Sequence, residues 1–169
     1  KEKLRLRSYG RADREHPVFM ELKKKYRSIV YKRRLTLPYG RALDCLTGDC
    51  PWPETQIGRE IGYAMDFYPD LEPRVFLSYE RDSWYAPESG LRIAIRFRTA
   101  DLTLDSDLWG TALLRPDQVL MELKAPGAIP LWMVRLLTEM GLYKTSFSKY
   151  GTAYQILLEQ EYKGGKRYA

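Results

Sequence analysis

Leu4 and Leu6 alternate with Lys3, Arg5 and Arg7 in the stretch KLRLRSYG. That is the period-2 pattern of a strand with one apolar face and one polar face. The pattern returns in VFMELKKKY, where Val18, Met20 and Leu22 alternate with Glu21 and Lys23. It continues in SIVYKRRLTLP, with Ile29, Tyr31, Leu35 and Leu37 in one phase and Lys32, Arg34 and Thr36 in the other. Arg33 falls in the apolar phase and makes this strand less regular. Residues 39–48 and 54–68 then read as helices, bounded by Pro38, the Gly48–Pro53 turn region and Pro69.

RVFLSYERDSWYA reads as an aromatic-rich strand that puts Arg81 in phase with Val75, Leu77 and Tyr79. In GLRIAIRFR, Leu91, Ile93, Ile95 and Phe97 alternate with Arg92, Ala94, Arg96 and Arg98. VLMELKAPG sets Val119, Met121 and Leu123 against Glu122 and Lys124. Residues 130–140 form a helix that starts at Pro130 and stops at Gly141, since proline suits a first helical turn and glycine its end. YKTSFSKYG is expected as a loop carrying Lys149, followed by a last helix over about residues 151–161. There is no internal repeat and no low-complexity segment.

At least five strands therefore share one design, apolar on one face and Lys or Arg on the other. An open antiparallel sheet with one face in water explains each strand taken singly. A closed barrel, with apolar faces outward under helices and cations lining a channel, explains the set. Such an interior repels itself and calls for an anion to fill it. Periodicity does not choose between the two.

Length and composition narrow the class. At 169 residues the chain fits one domain with a sizeable core, and 44% hydrophobic with 13% aromatic residues excludes a disordered chain. The longest apolar run, AIPLWMV, is too short to span a bilayer. With Lys1 at its start and no leader pattern, the chain reads as a piece of something longer. Cys45 and Cys50 make no disulfide framework, and with His16 they lack a fourth ligand for zinc. Reduced or incidental cysteines are expected, which favours a cytoplasmic setting. Trp84, Tyr85, Trp109 and Trp132 are expected in the core, being separate from the basic runs.

The net charge of +6 is unevenly spread. Residues 1–41 hold fourteen Lys or Arg against four acids, whereas residues 42–73 hold one Arg against seven acids. A basic segment of this kind points to an anionic partner: phosphates, nucleic acid or an acidic lipid surface.

In order along the chain, RLRSYG, FMELKKK, VYKRRL, FLSYERDSWY, GLRIAIRF, VLMELK and SFSKYG resemble the catalytic domain of the vacuolar transporter chaperone (VTC) family. These are the polyphosphate polymerases among the triphosphate tunnel metalloenzymes. The motifs run from residue 3 to about residue 154, and their order carries more weight than any one of them. The resemblance implies an α+β fold with an antiparallel β-barrel or tunnel flanked by helices, N-terminally incomplete in this chain. It also implies transfer of the terminal phosphate of ATP onto polyphosphate, with Mn²⁺ or Mg²⁺ as cofactor. ATP and polyphosphate are then the partners, and the chain a cytosolic domain.

Carried over motif by motif, Arg5, Arg7, Lys23, Lys32, Arg34, Arg81, Arg92 and Lys149 become phosphate-binding positions. Glu122 becomes the metal carboxylate, with Lys124 beside it on the phosphate. Arg5, Arg7, Lys23, Arg92 and Glu122 form the implied catalytic set. Arg96 stands where the family pattern has an acid.

The chemistry suits these residue types. Phosphoryl transfer has a loose transition state with charge on the equatorial oxygens, so positioning and countercharge dominate. Arginine offers a planar fork to phosphate and lysine a compact charge. A hard metal needs few protein oxygens when phosphates supply the rest. The alternatives are a triphosphate hydrolase of the same fold and a polyphosphate-binding module without turnover. Solvated strand faces, and a simple Glu122–Lys124 surface pair, are the plainer readings. Nucleic-acid binding ranks below these because no helix-turn-helix, zinc finger or ribonucleoprotein motif is present.

Overall fold

The computed structural model describes residues 2–27, 29–84, 89–123 and 127–165, and the side chains at 81–94 and 163–165 lie outside the description. It is an α+β protein, and among the described residues every strand pairing is antiparallel. The chain divides into two compact units, Lys1–Pro73 with Thr103–Asp107, and Arg74–Leu102 with Leu108–Ala169.

The first unit is built on β1 (Glu2–Arg7), β2 (Pro17–Tyr26) and β3 (Ile29–Pro38), in that spatial order. Their alternation sends Leu4, Leu6, Val18, Met20, Leu22, Leu35 and Leu37 to one face. That face is covered by α1 (Tyr39–Thr47) and α2 (Gln56–Phe67). Tyr39 and Ala42 of α1 and Ile61 and Ala64 of α2 join Val18, Met20, Leu22 and Leu37 in one buried cluster. Burying each large side chain contributes about 1.5–3 kcal/mol.

The irregular residue of β3 has a partner here. Arg33 reaches Glu60 of α2, Nε to Oε2 at 3.0 Å, so a charge in the apolar phase is matched where the helix crosses it. Helix α1 stops at Gly48, whose φ of 87° suits a residue without a Cβ. Helix α2 starts at Thr55, whose side chain accepts the Gly58 N–H at 3.0 Å. Segment 103–107 closes the unit: the Leu104 N–H donates to the Tyr39 hydroxyl at 3.0 Å, and its carbonyl accepts from Ala12 at 2.9 Å.

The second unit centres on β5 (Ser89–Arg98), which pairs with β4 (Phe76–Trp84), β6 (Thr111–Ala112) and β7 (Leu120–Leu123). The β4–β5 register shifts between Glu80 and Asp82, placing Arg81 at a bulge. The irregularity breaks the period-2 count that put Arg81 in phase with Leu77 and Tyr79. Ile95 and Phe97 are buried as their phase requires. Arg98, in the opposite phase, is buried as well, its guanidinium 3.9 Å above the Phe76 ring and 3.1 Å from Asp101.

Helix α3 (Leu131–Glu139) begins after Pro130 and ends before Gly141, which has a φ of 66°. It buries no residue, and Trp132 is exposed, as is Trp109. The expectation of core tryptophans is therefore corrected at both positions. Distance from the basic runs was no measure of burial. Trp84 and Tyr85 have side chains outside the description. Helix α4 (Lys149–Gly165) starts earlier than the 151–161 pattern predicted, so Lys149 is a helix residue and not a loop residue. Among the described residues no helix is long and apolar enough to cross a membrane.

Candidate anion-binding site

The polar face of the three-stranded sheet is ordered by register into rows. Lys3, Lys23 and Lys32 stand opposite one another across the three strands. The next row is Arg5, Glu21 and Arg34, and the next Arg7, Phe19 and Thr36. Same-face neighbours along a strand recur every ~7 Å, so the rows form a two-dimensional grid.

Glu21 is the centre of that grid and is wholly buried, although it lies in the polar phase. Arg5 Nε donates to its Oε2 at 3.0 Å, and a second Arg5 nitrogen is closer still. Arg34 donates to Oε1 from Nε at 3.0 Å, its Nη2 lies 2.8 Å from the same oxygen, and Lys32 Nζ lies 3.1 Å from it. Arg7 Nη2 stands 3.7 Å away. Burial pushes the Glu21 carboxyl up, but hydrogen bonds from Arg5, Lys32 and Arg34 and the charge of Arg5 outweigh it and hold the pKa at about 2. The group is a fixed carboxylate.

Phe19 aligns the two outer guanidiniums. Arg7 lies 5.2 Å and Arg34 4.9 Å from its ring centroid, and Arg7 also stacks 4.6 Å from Tyr9. Cation–π contact holds such groups in place without neutralising them. Four cations thus share one carboxylate, leaving the patch strongly positive. Arg7 Nε and Nη2 are buried with no hydrogen-bond partner, which leaves two donors of the cluster unanswered. Arg5, Lys32 and Arg34 are each about two-fifths exposed, so their outer edges face solvent. The arrangement can bind an oxyanion through several charge-assisted hydrogen bonds at once.

Of the residues named from sequence, the structure brings Arg5, Arg7, Lys32 and Arg34 together around Glu21, with Lys23 one row along. Glu21 itself has no part in the site that the sequence implies, where it is only a polar-phase residue beside Lys23. The signal was there: a carboxylate in the polar phase of a strand otherwise rich in lysine.

In the second unit, Glu122 of β7 lies opposite Gly90 of β5 and forms a close ion pair with Lys149 at the start of α4. Arg92 of β5 stands opposite Leu120 of β7. The side chains of Arg81 and Arg92, and all of Lys124, lie outside the described residues. Among those residues no three His, Cys, Asp or Glu gather as a ready-made metal cage. Glu122, the carboxylate that the resemblance gives to the metal, is less than one-third exposed and is paired with the Lys149 ammonium.

The family model described as VTC domain matches residues 1–158. No curated protein and no solved structure matches the chain.

Proposed function

The chain belongs to the VTC domain family, which ties it to polyphosphate, and on that premise we propose that it is a polyphosphate polymerase. Its reaction is transfer of the terminal phosphate of ATP onto the end of a polyphosphate chain. The observation that carries the reading is the Glu21-centred array, in which Arg5, Arg7, Lys32 and Arg34 from β1 and β3 converge on one buried carboxylate of β2. A string of phosphates has the charge density such an array calls for. The antiparallel tunnel expected from the resemblance remains part of this proposal.

In the reaction, Arg5, Arg7 and Arg34 grip equatorial oxygens by paired N–H donors, while Lys23 and Lys32 supply point charges one row along. Glu21 keeps the array from springing apart when no phosphate is bound. By the family resemblance Arg81, Arg92 and Lys124 are further phosphate-binding positions, and Lys149 pairs with Glu122. Glu122 is the carboxylate that would hold Mn²⁺ or Mg²⁺. Such a cation would supply electrostatic stabilisation of the charge on the phosphate oxygens, and ADP would be the leaving group.

A polyphosphate-binding module without turnover is the second reading. Arg96 favours it, since a cation stands at a position where the family pattern has an acid. The test is incubation of the chain with ATP and Mn²⁺, followed by separation of products. Polymer with matching ADP is expected. Orthophosphate with ADP and no polymer identifies a hydrolase, and tight polyphosphate binding with no ADP identifies the binding module.

A further inference from the structure

Helix α1 and the turn after it bring the only two cysteines of the chain together. Gly48 reverses the backbone at the end of α1, and the N–H groups of Asp49 and Cys50 both donate to the Asp44 carbonyl, at 2.8 and 3.2 Å. That fold-back sets Cys50 Sγ 2.8 Å from Cys45 Sγ, with both thiols free. Cys45 lies on the buried face of α1 with Tyr39 and Ala42, and its sulfur also contacts the Pro51 carbonyl at 3.4 Å. Cys50 is half-buried and Cys45 is buried, so Cys50 is the more open residue of the two.

We propose that Cys45 and Cys50 are a redox-active dithiol that closes to an intramolecular disulfide when exposed to a small-molecule disulfide such as oxidised glutathione. A covalent S–S bond is ~2.05 Å long, so the sulfurs need to approach by less than ~1 Å. The Cys50 thiolate attacks one sulfur of the oxidant, forming a mixed disulfide and releasing one small thiolate, which takes up a proton. Cys45 then gives its proton to water and attacks Cys50 Sγ, forming the internal bond and releasing the second small thiol. Two electrons pass from the pair to the oxidant.

The order of attack follows from the environments. Burial pushes the Cys45 thiol up to about 11, and the hydrogen bond and charge of Cys50 push in the same direction. Cys45 therefore stays protonated until Cys50 is consumed, and Cys50 is the entry point. The closed bond would tie the end of α1, which covers the apolar face of the sheet, to the Pro51–Trp52 segment.

The test holds the folded chain in mixtures of oxidised and reduced glutathione and reads the intact mass. The wild-type chain should lose two hydrogens, carry no glutathione, and recover its mass with dithiothreitol. Cys45→Ser should retain one glutathione on Cys50, and Cys50→Ser should stay unmodified. A lasting glutathione adduct on the wild-type chain overturns the proposal. So does survival of both thiols at a redox ratio that oxidises a linear peptide of residues 44–51. Because the wild-type reading stands alone, poor folding of either variant does not remove the test.

Discussion

Glu21 and Arg34 stand directly opposite each other on β2 and β3, and the Arg34 Nη2–Glu21 Oε1 contact is 2.8 Å. Arg5 occupies the same row on the far side of Glu21, so the carboxylate is bracketed by arginines from both neighbouring strands. The pairing explains how a charged side chain can be buried in a polar face: the cations form its cover.

Glu21→Gln removes the countercharge and leaves the cations to repel one another. Breaking a fully buried pair typically costs 3–5 kcal/mol, but Arg5, Lys32 and Arg34 can turn toward water here. A loss of about 2 kcal/mol in urea unfolding is expected, partly restored by added tripolyphosphate. Equal stabilisation of wild type and variant by the anion would count against a shared cluster.

The same carboxylate sets a pH dependence. Its folded pKa of about 2 lies below the ordinary 4.5, so the contribution is complete above ~4.5 and is lost as pH falls toward about 2. The wild-type minus Glu21→Gln stability difference should be flat from neutrality to about pH 5 and shrink below it. Unfolding curves at a series of pH values read this directly.

Phe19→Ala keeps every charge but removes the ring between Arg7 and Arg34. Tripolyphosphate binding should weaken about threefold to tenfold, the size of one or two such contacts. The salt dependence should stay as in wild type, because no cation is lost. Calorimetric titration at two ionic strengths separates the two effects.

Glu122→Gln should leave the fold intact, with unchanged circular dichroism, and lower turnover by about 100-fold or more, the scale of losing one preorganised charge. Lys149→Ala, which removes the ion-pair partner of Glu122, should chiefly alter the metal concentration needed for activity. Full turnover by Glu122→Gln would remove that residue from the metal site.

The alternation was clearest in β2, which buries Val18, Met20 and Leu22, and in β3 it matched burial only toward Leu37, since Ile29 and Tyr31 of the apolar phase are exposed. Residues 18–26 were read as a strand, and the strand runs Pro17–Tyr26. Helix α3 was legible from Pro130 and Gly141. Four features were not. The two residues of β6 are too few to show a period. The bulge at Arg81 inserts a residue that no count of alternation detects. The burial of Glu21 depends on which residues stand opposite it, and register is a property of pairs of strands, whereas periodicity describes one. The cysteine pair was likewise hidden, since residues 45 and 50 meet only through the reversal at Gly48.

The most direct test of the central claim is titration of the chain with tripolyphosphate at low and high salt, alongside the Arg5→Ala/Arg34→Ala double variant. Binding that weakens with salt in the wild type and is lost in a folded double variant is the predicted result. Undiminished binding by the double variant, or none by the wild type, would contradict it.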